Sequence, residues 1–324
     1  MSDAGGEQTG LDPTDLSAVL GGVGWLVLVA VADLDAIDRA LALAPLVLVP
    51  LGLGMAATPS FAGLAGRLHR LAVLGQPIGA GLFVASVVAP VEGTTAALLA
   101  TPWVLVTGLL ALVAAVRVRA RVRTRTRDTE VALAPLSETV LDAGLAYAVV
   151  GAVALVLFHL GLTFWFDPTI VRLTAVHFHY AGFVLPVVTG LAGRTLDREV
   201  GLYRAVAAVV LVGPGLVAVG ISFSPTIEVL AVSAFTLAVT VLGGFVATRV
   251  APARPRRQGL LLGLSSLALP VSMALALGYA VSVFTGTDVL GLRIPVMVRV
   301  HGSLNAFGFA LLGLVGWRLA VPEW

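Results

Sequence analysis

Apolar stretches of about 20 residues recur from Leu16 almost to the last residue of the chain, each of the length that carries an α-helix across the hydrocarbon core of a bilayer. That repetition leaves no room for a folded domain outside the membrane. The expected fold class is all-α: a polytopic transmembrane helix bundle of about ten helices, with residues 1–324 as a single integral membrane domain. Windows of membrane length place spans near 16 to 32, 40 to 57, 70 to 90, 96 to 116, 139 to 163, 169 to 191, 201 to 221, 228 to 248, 259 to 283 and 295 to 319. Asp33, Asp35, Asp38 and Arg39 form a tight charged turn between the first two spans, and Pro45 and Pro50 interrupt the second.

Arginine sets the orientation, because short loops rich in Lys and Arg stay cytoplasmic. Arg117, Arg119, Arg121, Arg123, Arg125 and Arg127 mark the loop of residues 117–138 after span four as inside. The loops after spans two, six and eight then also lie inside, with Arg67, Arg70, Arg194, Arg198, Arg204, Arg249, Arg254, Arg256 and Arg257. With Arg318, sixteen of the twenty Arg are inside, leaving Arg39, Arg172, Arg293 and Arg299 outside. Both termini are expected to be cytoplasmic. The first 15 residues are polar and lack an Arg-rich start, so no cleaved signal peptide is expected.

Composition removes several function classes. Hydrophobic residues make up 58% of the chain and charged ones 12%, and cysteine is absent. A bilayer is therefore the expected partner, and thiolate catalysis, disulfides and thiolate metal ligation are excluded. The Arg face lipid head groups, so no nucleic acid partner is expected. No Walker sequence, dinucleotide fingerprint, nucleophile elbow or HExxH pattern occurs, and classical soluble-enzyme chemistry has no support.

What remains is histidine. Only five occur, and His159, His177, His179 and His301 fall inside predicted spans, where ionisable groups are costly and face a bundle interior or a cavity. Counting 1.5 Å per residue puts His177 and His179 roughly 15 to 18 Å deep, His301 about 12 Å and His159 about 9 Å, all in the outer half of the membrane. Residues two apart on a helix point about 200° apart, so His177 and His179 serve two different faces. Convergence of imidazoles from separate helices is what bis-imidazole haem ligation, or a His-rich copper or zinc site, requires. His159, His177, His179 and His301 are accordingly the candidate metal ligands. The bland alternative is a neutral imidazole bonded to a neighbouring hydroxyl or carbonyl. His69, beside Arg67 and Arg70, reads as an interfacial residue.

Around these stand further candidates: Tyr180 next to the pair, Ser303 and Asn305 near His301, and Arg172 and Arg299 on the outer side of the two His helices. The two Arg either snorkel to lipid phosphate or pair with an anionic ligand such as a haem propionate, and Asp167 and Glu228 are available to neutralise them. Gln76-Pro77 in span three and Gly213-Pro214-Gly215 in span seven weaken those helices, either for packing or as a broken-helix transport site. His179-Tyr-Ala-Gly-Phe in span six is faintly like Asn305-Ala-Phe-Gly-Phe in span ten, a likeness that shared composition also explains.

Two resemblances follow from these residues. Thr174-Ala-Val-His-Phe-His-Tyr-Ala-Gly-Phe183, and the ending His301-Gly-Ser-Leu-Asn-Ala-Phe-Gly-Phe309 with Gly316-Trp-Arg318, resemble the YndJ-like family of bacterial and archaeal multispanning membrane proteins, from about span five onward. That resemblance implies a multi-pass protein of the prokaryotic plasma membrane and no particular activity. His177-Phe-His-Tyr180 also resembles a helix of haem-copper oxidase catalytic subunits, in which two such His bind two haems on opposite faces. The chain has no adjacent His pair and no His-Pro-Glu copper helix, so a complete oxygen reductase is not implied. The leading expectation is a haem- or transition-metal-binding membrane protein, with haem or copper held by His177, His179 and His301 and flanked by Arg172 and Arg299, in redox or sensing. The alternatives are a proton-coupled transporter of a small-molecule solute through the same His and Arg, or a scaffold whose polar residues lock helices together.

Overall fold

The computed structural model describes residues 12–125, 136–196, 200–288 and 290–323. Among these residues there are ten helices long and apolar enough to cross a membrane, and no strand. They are α1 (Pro13–Val31), α2 (Ala36–Ala56), α3 (Gly63–Val88), α4 (Gly93–Arg125), α5 (Leu136–His159), α6 (Pro168–Gly193), α7 (Gly201–Phe223), α8 (Pro225–Ala253), α9 (Arg256–Thr285) and α10 (Ile294–Leu319). The all-helical multi-spanning fold expected from the sequence is the one found.

Several starts carry an explicit local signal. Asp12, Asp167 and Ser224 each precede a proline, and each accepts a backbone N–H of the first turn with its side chain. A capping oxygen followed by proline, whose missing N–H costs nothing at that position, is a strong helix start. The boundaries moved most in α4. A loop was expected from residue 117, but the helix continues to Arg125, since Arg is a good helix former and no Gly or Pro stops the run at the membrane edge. Arg127 and the rest of 126–135 lie outside the described residues, as does Arg198.

The core is built on α2 and α6, the two spans with the largest buried share, 83% each. Each contains a single widened π turn just ahead of a proline, Ala44–Leu48 before Pro50 and Tyr180–Val184 before Pro186. Proline offers no N–H, so the carbonyls it would have served are left over, and widening one turn is a way to absorb the defect. In α2 the N–H of Val49 bonds to Ala44, so the carbonyl of Pro45 would fall to Pro50, which cannot donate. Gln76 of α3 supplies the missing donor, its Nε2 lying 2.8 Å from that carbonyl, while its Oε1 accepts from Ser17 Oγ at 2.5 Å. The neighbouring carbonyl of Leu46 lies against Gly21 of α1, where a Cβ would come within 2.0 Å of it. Gln76 is thus a buried packing residue. Neither Pro77 nor Pro214 breaks its helix, since α3 and α7 run through both.

Two ends of the bundle are distinguishable. The Arg-rich end holds the last turns of α4 and α6 and the first of α5. The opposite end holds the turn of Asp35, the cap Asp167 and the cap Ser224.

Candidate ligand cavity and its histidines

A cavity of about 560 Å³ opens within the half of the bundle opposite the Arg-rich end, between α1, α2 and α6 on one side and α7 to α10 on the other. Its wall runs from helix ends, at Ala36, Phe166, Ser222 and Ile294, down to Leu185, Val239 and Phe309. Leu185 is 17 residues into α6, which places it roughly 25 Å along the helix. The wall is mainly aliphatic and aromatic. Its polar members are few: Arg39, His177, Tyr180, Glu228, Tyr279, His301, Asn305 and the hydroxyls of Thr174, Ser222 and Ser303.

His177 and His301 therefore do meet one space from two helices. His177 is exposed and lines the cavity. Its Nδ1 lies 2.7 Å from the carbonyl of Leu173, one turn back. A carbonyl only accepts, so Nδ1 carries the hydrogen and the lone pair of the neutral ring is on Nε2. His301 sits in a π turn of α10, Val298–Gly302, and is held more fully. Its Nδ1 is 2.9 Å from the carbonyl of Ser272 on α9, and its Nε2 accepts from Asn305 Nδ2 at 3.1 Å. The same amide nitrogen donates to Ser272 Oγ, so Asn305 ties α10 to α9. Tyr180 forms part of the wall while donating its hydroxyl to the carbonyl of Ala40 at 3.0 Å.

The other two histidines are elsewhere. His179 is 1% exposed and points away from the cavity, as the two-residue spacing requires. Its Nδ1 is 2.7 Å from the carbonyl of Ala175, and its Nε2 accepts from Trp103 Nε1 at 2.9 Å. Phe83 closes the pocket at a ring distance of 5.7 Å, and Gly151 of α5 leaves the room, since a Cβ there would lie 2.6 Å from Nδ1. Both ring nitrogens of His179 are thus committed within the fold. His159 bonds through Nε2 to Ser86 Oγ at 3.1 Å, away from the cavity. Among the described residues no three or more His, Cys, Asp or Glu gather so as to hold a metal ion. Of the four candidate His, His177 and His301 share the cavity, and His179 faces the other side of α6, as expected for residues two apart on one helix.

The arginines also divide. Arg172 is clamped by the turn between α1 and α2, at 3.0 Å to each oxygen of Asp35, and it bonds Asp38 as well. Asp167 and Glu228, the partners suggested by loop position, do not engage it in any described ion pair. Burial raises the affinity of Asp35 for a proton, but the N–H of Asp38 and the guanidinium of Arg172 outweigh it and hold the carboxyl below its usual range. Arg299 is exposed and makes no described ion pair, consistent with a lipid-facing residue.

Sequence reasoning missed an extended polar network among the described residues. At the Arg-rich end Glu138 and Asp142, 3% and 1% exposed, sit one turn apart on α5. Arg117 bonds both, at 2.5 Å and 2.6 Å, Arg121 bonds Asp142, and Arg194 grips Glu138 at 2.6 Å and 3.0 Å. Arg194 then donates onward to the carbonyls of Met55, Ala56 and Thr58, capping the end of α2. The signal was present as two carboxylates four residues apart, opposite an Arg run.

Ten apolar spans around a buried cavity define a polytopic helical membrane protein whose surroundings are a lipid bilayer. The chain belongs to the YndJ-like family, whose model matches residues 39–309. It is 40% identical over 154 residues to a protein of Bacillus subtilis (strain 168) named Uncharacterized membrane protein YndJ; the match covers 48% of this chain and 28% of that protein. The chain thus spans less than a third of that relative's length. No solved structure matches it.

Proposed function

We propose that this YndJ-like protein binds a small, largely apolar solute in the cavity of about 560 Å³ and carries it across a prokaryotic plasma membrane, with the Arg-rich end cytoplasmic. The observation that carries the reading is the meeting of His177 and His301 in one membrane-depth space whose size suits a ligand. The cavity wall reaches the helix ends opposite the Arg-rich end and includes no residue of the Arg194, Glu138 and Asp142 network, which fits an outward-facing state of an alternating-access carrier. The imidazoles are the groups able to exchange a proton at that depth. The test is proteoliposomes loaded with a pH-sensitive dye and challenged with a panel of amphipathic amines, alcohols and acids. The expected result is a dye response to one class, above that of empty liposomes and lost in His177→Ala. Silence toward the whole panel from folded protein that also binds none of it overturns the reading.

One observation favours a second reading, haem binding. A ligating imidazole usually donates its other N–H to a carbonyl or carboxylate, and His177 does so to Leu173 while its Nε2 is left for the cavity. An absorption spectrum with metal analysis of the purified protein decides it. A Soret band lost in His177→Ala supports haem, and a colourless, metal-free, folded preparation overturns it.

A further inference from the structure

The hydrogen-bond inventory of the cavity wall narrows what chemistry it accepts, on the assumption that the cavity is a solute site. Most hydroxyl and amide donors of the deep wall are spent within the fold; Ser303 Oγ, and the Tyr279 hydroxyl and Arg39 side chain nearer the mouth, make no described hydrogen bond as donors. Thr174 Oγ1 donates to the carbonyl of Ile170, Tyr180 to Ala40, and Ser222 Oγ to Ala218. Nδ1 of His301 is turned to the carbonyl of Ser272, and Asn305 Nδ2 is used on His301 and Ser272. The histidine of α6 faces the space with an acceptor that has no described partner: Nε2 of His177, on a ring whose Nδ1 hydrogen is fixed by the carbonyl of Leu173. His177 lies nine residues beyond Pro168, roughly 13 Å along α6. Glu228 lies three residues from the start of α8, near the mouth, and adds a second acceptor there.

An acceptor in an apolar space is satisfied by a ligand that brings a hydrogen. A carboxylate, a phosphate or a ketone set against Nε2 of His177 would oppose lone pair to lone pair, whereas a hydroxyl gives that nitrogen a hydrogen and keeps lone pairs for a donor such as Ser303 Oγ. We infer that the cavity takes a neutral alcohol or phenol carried on an apolar skeleton, its hydroxyl donating to Nε2 of His177. The aliphatic and aromatic wall, including Trp25, Phe166, Phe178, Phe235 and Phe307, receives the skeleton.

The experiment measures equilibrium binding to the whole protein in nanodiscs for two skeletons, each with interchangeable heads: farnesol, its methyl ether, farnesylamine and farnesoic acid; and 4-nonylphenol with its methyl ether. The expected result is that the hydroxyl compound of at least one skeleton binds about three- to tenfold more tightly than its ether, the worth of one neutral hydrogen bond. His177→Phe should bring that ratio to about one while leaving the ether's affinity in place. His177→Gln, which offers an acceptor oxygen, should keep part of the preference and guards against a folding defect in the first variant. Equal binding of alcohol and ether, a tighter amine or acid, or a preference that survives His177→Phe overturns the inference and leaves the solute-binding reading standing. Absence of binding by every compound overturns both.

Discussion

Replacing Glu138 by Gln tests whether the network at the Arg-rich end holds the fold together. Glu138 is 3% exposed and receives three hydrogen bonds from two guanidiniums, those of Arg117 and Arg194. Gln keeps the shape but removes the charge, so Arg194, whose side chain is 2% exposed, loses the carboxylate it is paired with. Arg117 keeps Asp142. The described set holds three guanidiniums and two carboxylates, so its excess positive charge rises from one to two. Breaking a buried pair by removing one partner costs about 3–5 kcal/mol, and Gln, which still accepts a hydrogen bond, should fall at about 3 kcal/mol. That is roughly a hundredfold in the folding equilibrium. Reversible unfolding by SDS in mixed micelles, followed by circular dichroism, measures it, with the exposed Glu92→Gln as control. Arg194→Gln in the same background should cost less than it does alone, giving a coupling of about 1–3 kcal/mol. A Glu138→Gln protein within about 0.5 kcal/mol of wild type, the range of ordinary surface changes, would refute the reasoning.

Two further outcomes follow from the same kind of accounting. Trp103→Phe keeps an aromatic ring beside His179 but leaves Nε2 of that buried ring without its donor, so stability in the same assay should fall by about 1–3 kcal/mol, and binding of cavity ligands should not change. Asp35→Asn tests the clamp on Arg172: the folded-state pKa of Asp35 lies below its unfolded value, so its contribution is present above the ordinary carboxylate value, about 4, and is lost as pH falls through the folded value. Wild-type stability should therefore decline more steeply than that of Asp35→Asn between about pH 5 and pH 3; matching slopes would show that the clamp, whose Asp35 side chain is 54% exposed, contributes nothing.

The helices were legible because hydropathy over a membrane-length window depends on nothing beyond local sequence, and capped starts such as Asp167-Pro168 are local too. The opposite facing of His177 and His179 was legible for the same reason, being a property of one helix. What the sequence could not supply was which neighbour each face meets. Trp103 lies 76 residues from His179 and Asp35 lies 137 from Arg172, and no periodicity links such pairs. Which imidazoles share a space was illegible for the same reason: a count of imidazoles at similar depth does not say which ring nitrogens a carbonyl one turn back takes up, as Leu173 and Ala175 do. The pairing of Glu138 and Asp142 was equally illegible, since their Arg partners lie 21 to 56 residues away.

The proline defects connect these local facts to the cavity. The π turns of α2 and α6 bring Gly52 against the ring of Phe183, where a Cβ would come within 2.6 Å of the ring, and Tyr180 is tied to Ala40 across the same pair. The two helices are thus locked to each other at mid-depth, and Arg194 locks them again at the Arg-rich end by capping α2 from the end of α6. Opposite that end, where Arg172 holds Asp35 and Asp38, they contribute Ile37 and His177 to the same wall, with α10 facing them through its own π turns. If the protein carries a solute as proposed, it cannot open its inner half by separating α2 from α6 without exposing Glu138, Arg194 and three carbonyls together. Among the described residues no ion pair joins this pair to α7 to α10, so on the carrier reading the motion that exposes the cavity to the other side should run along that seam.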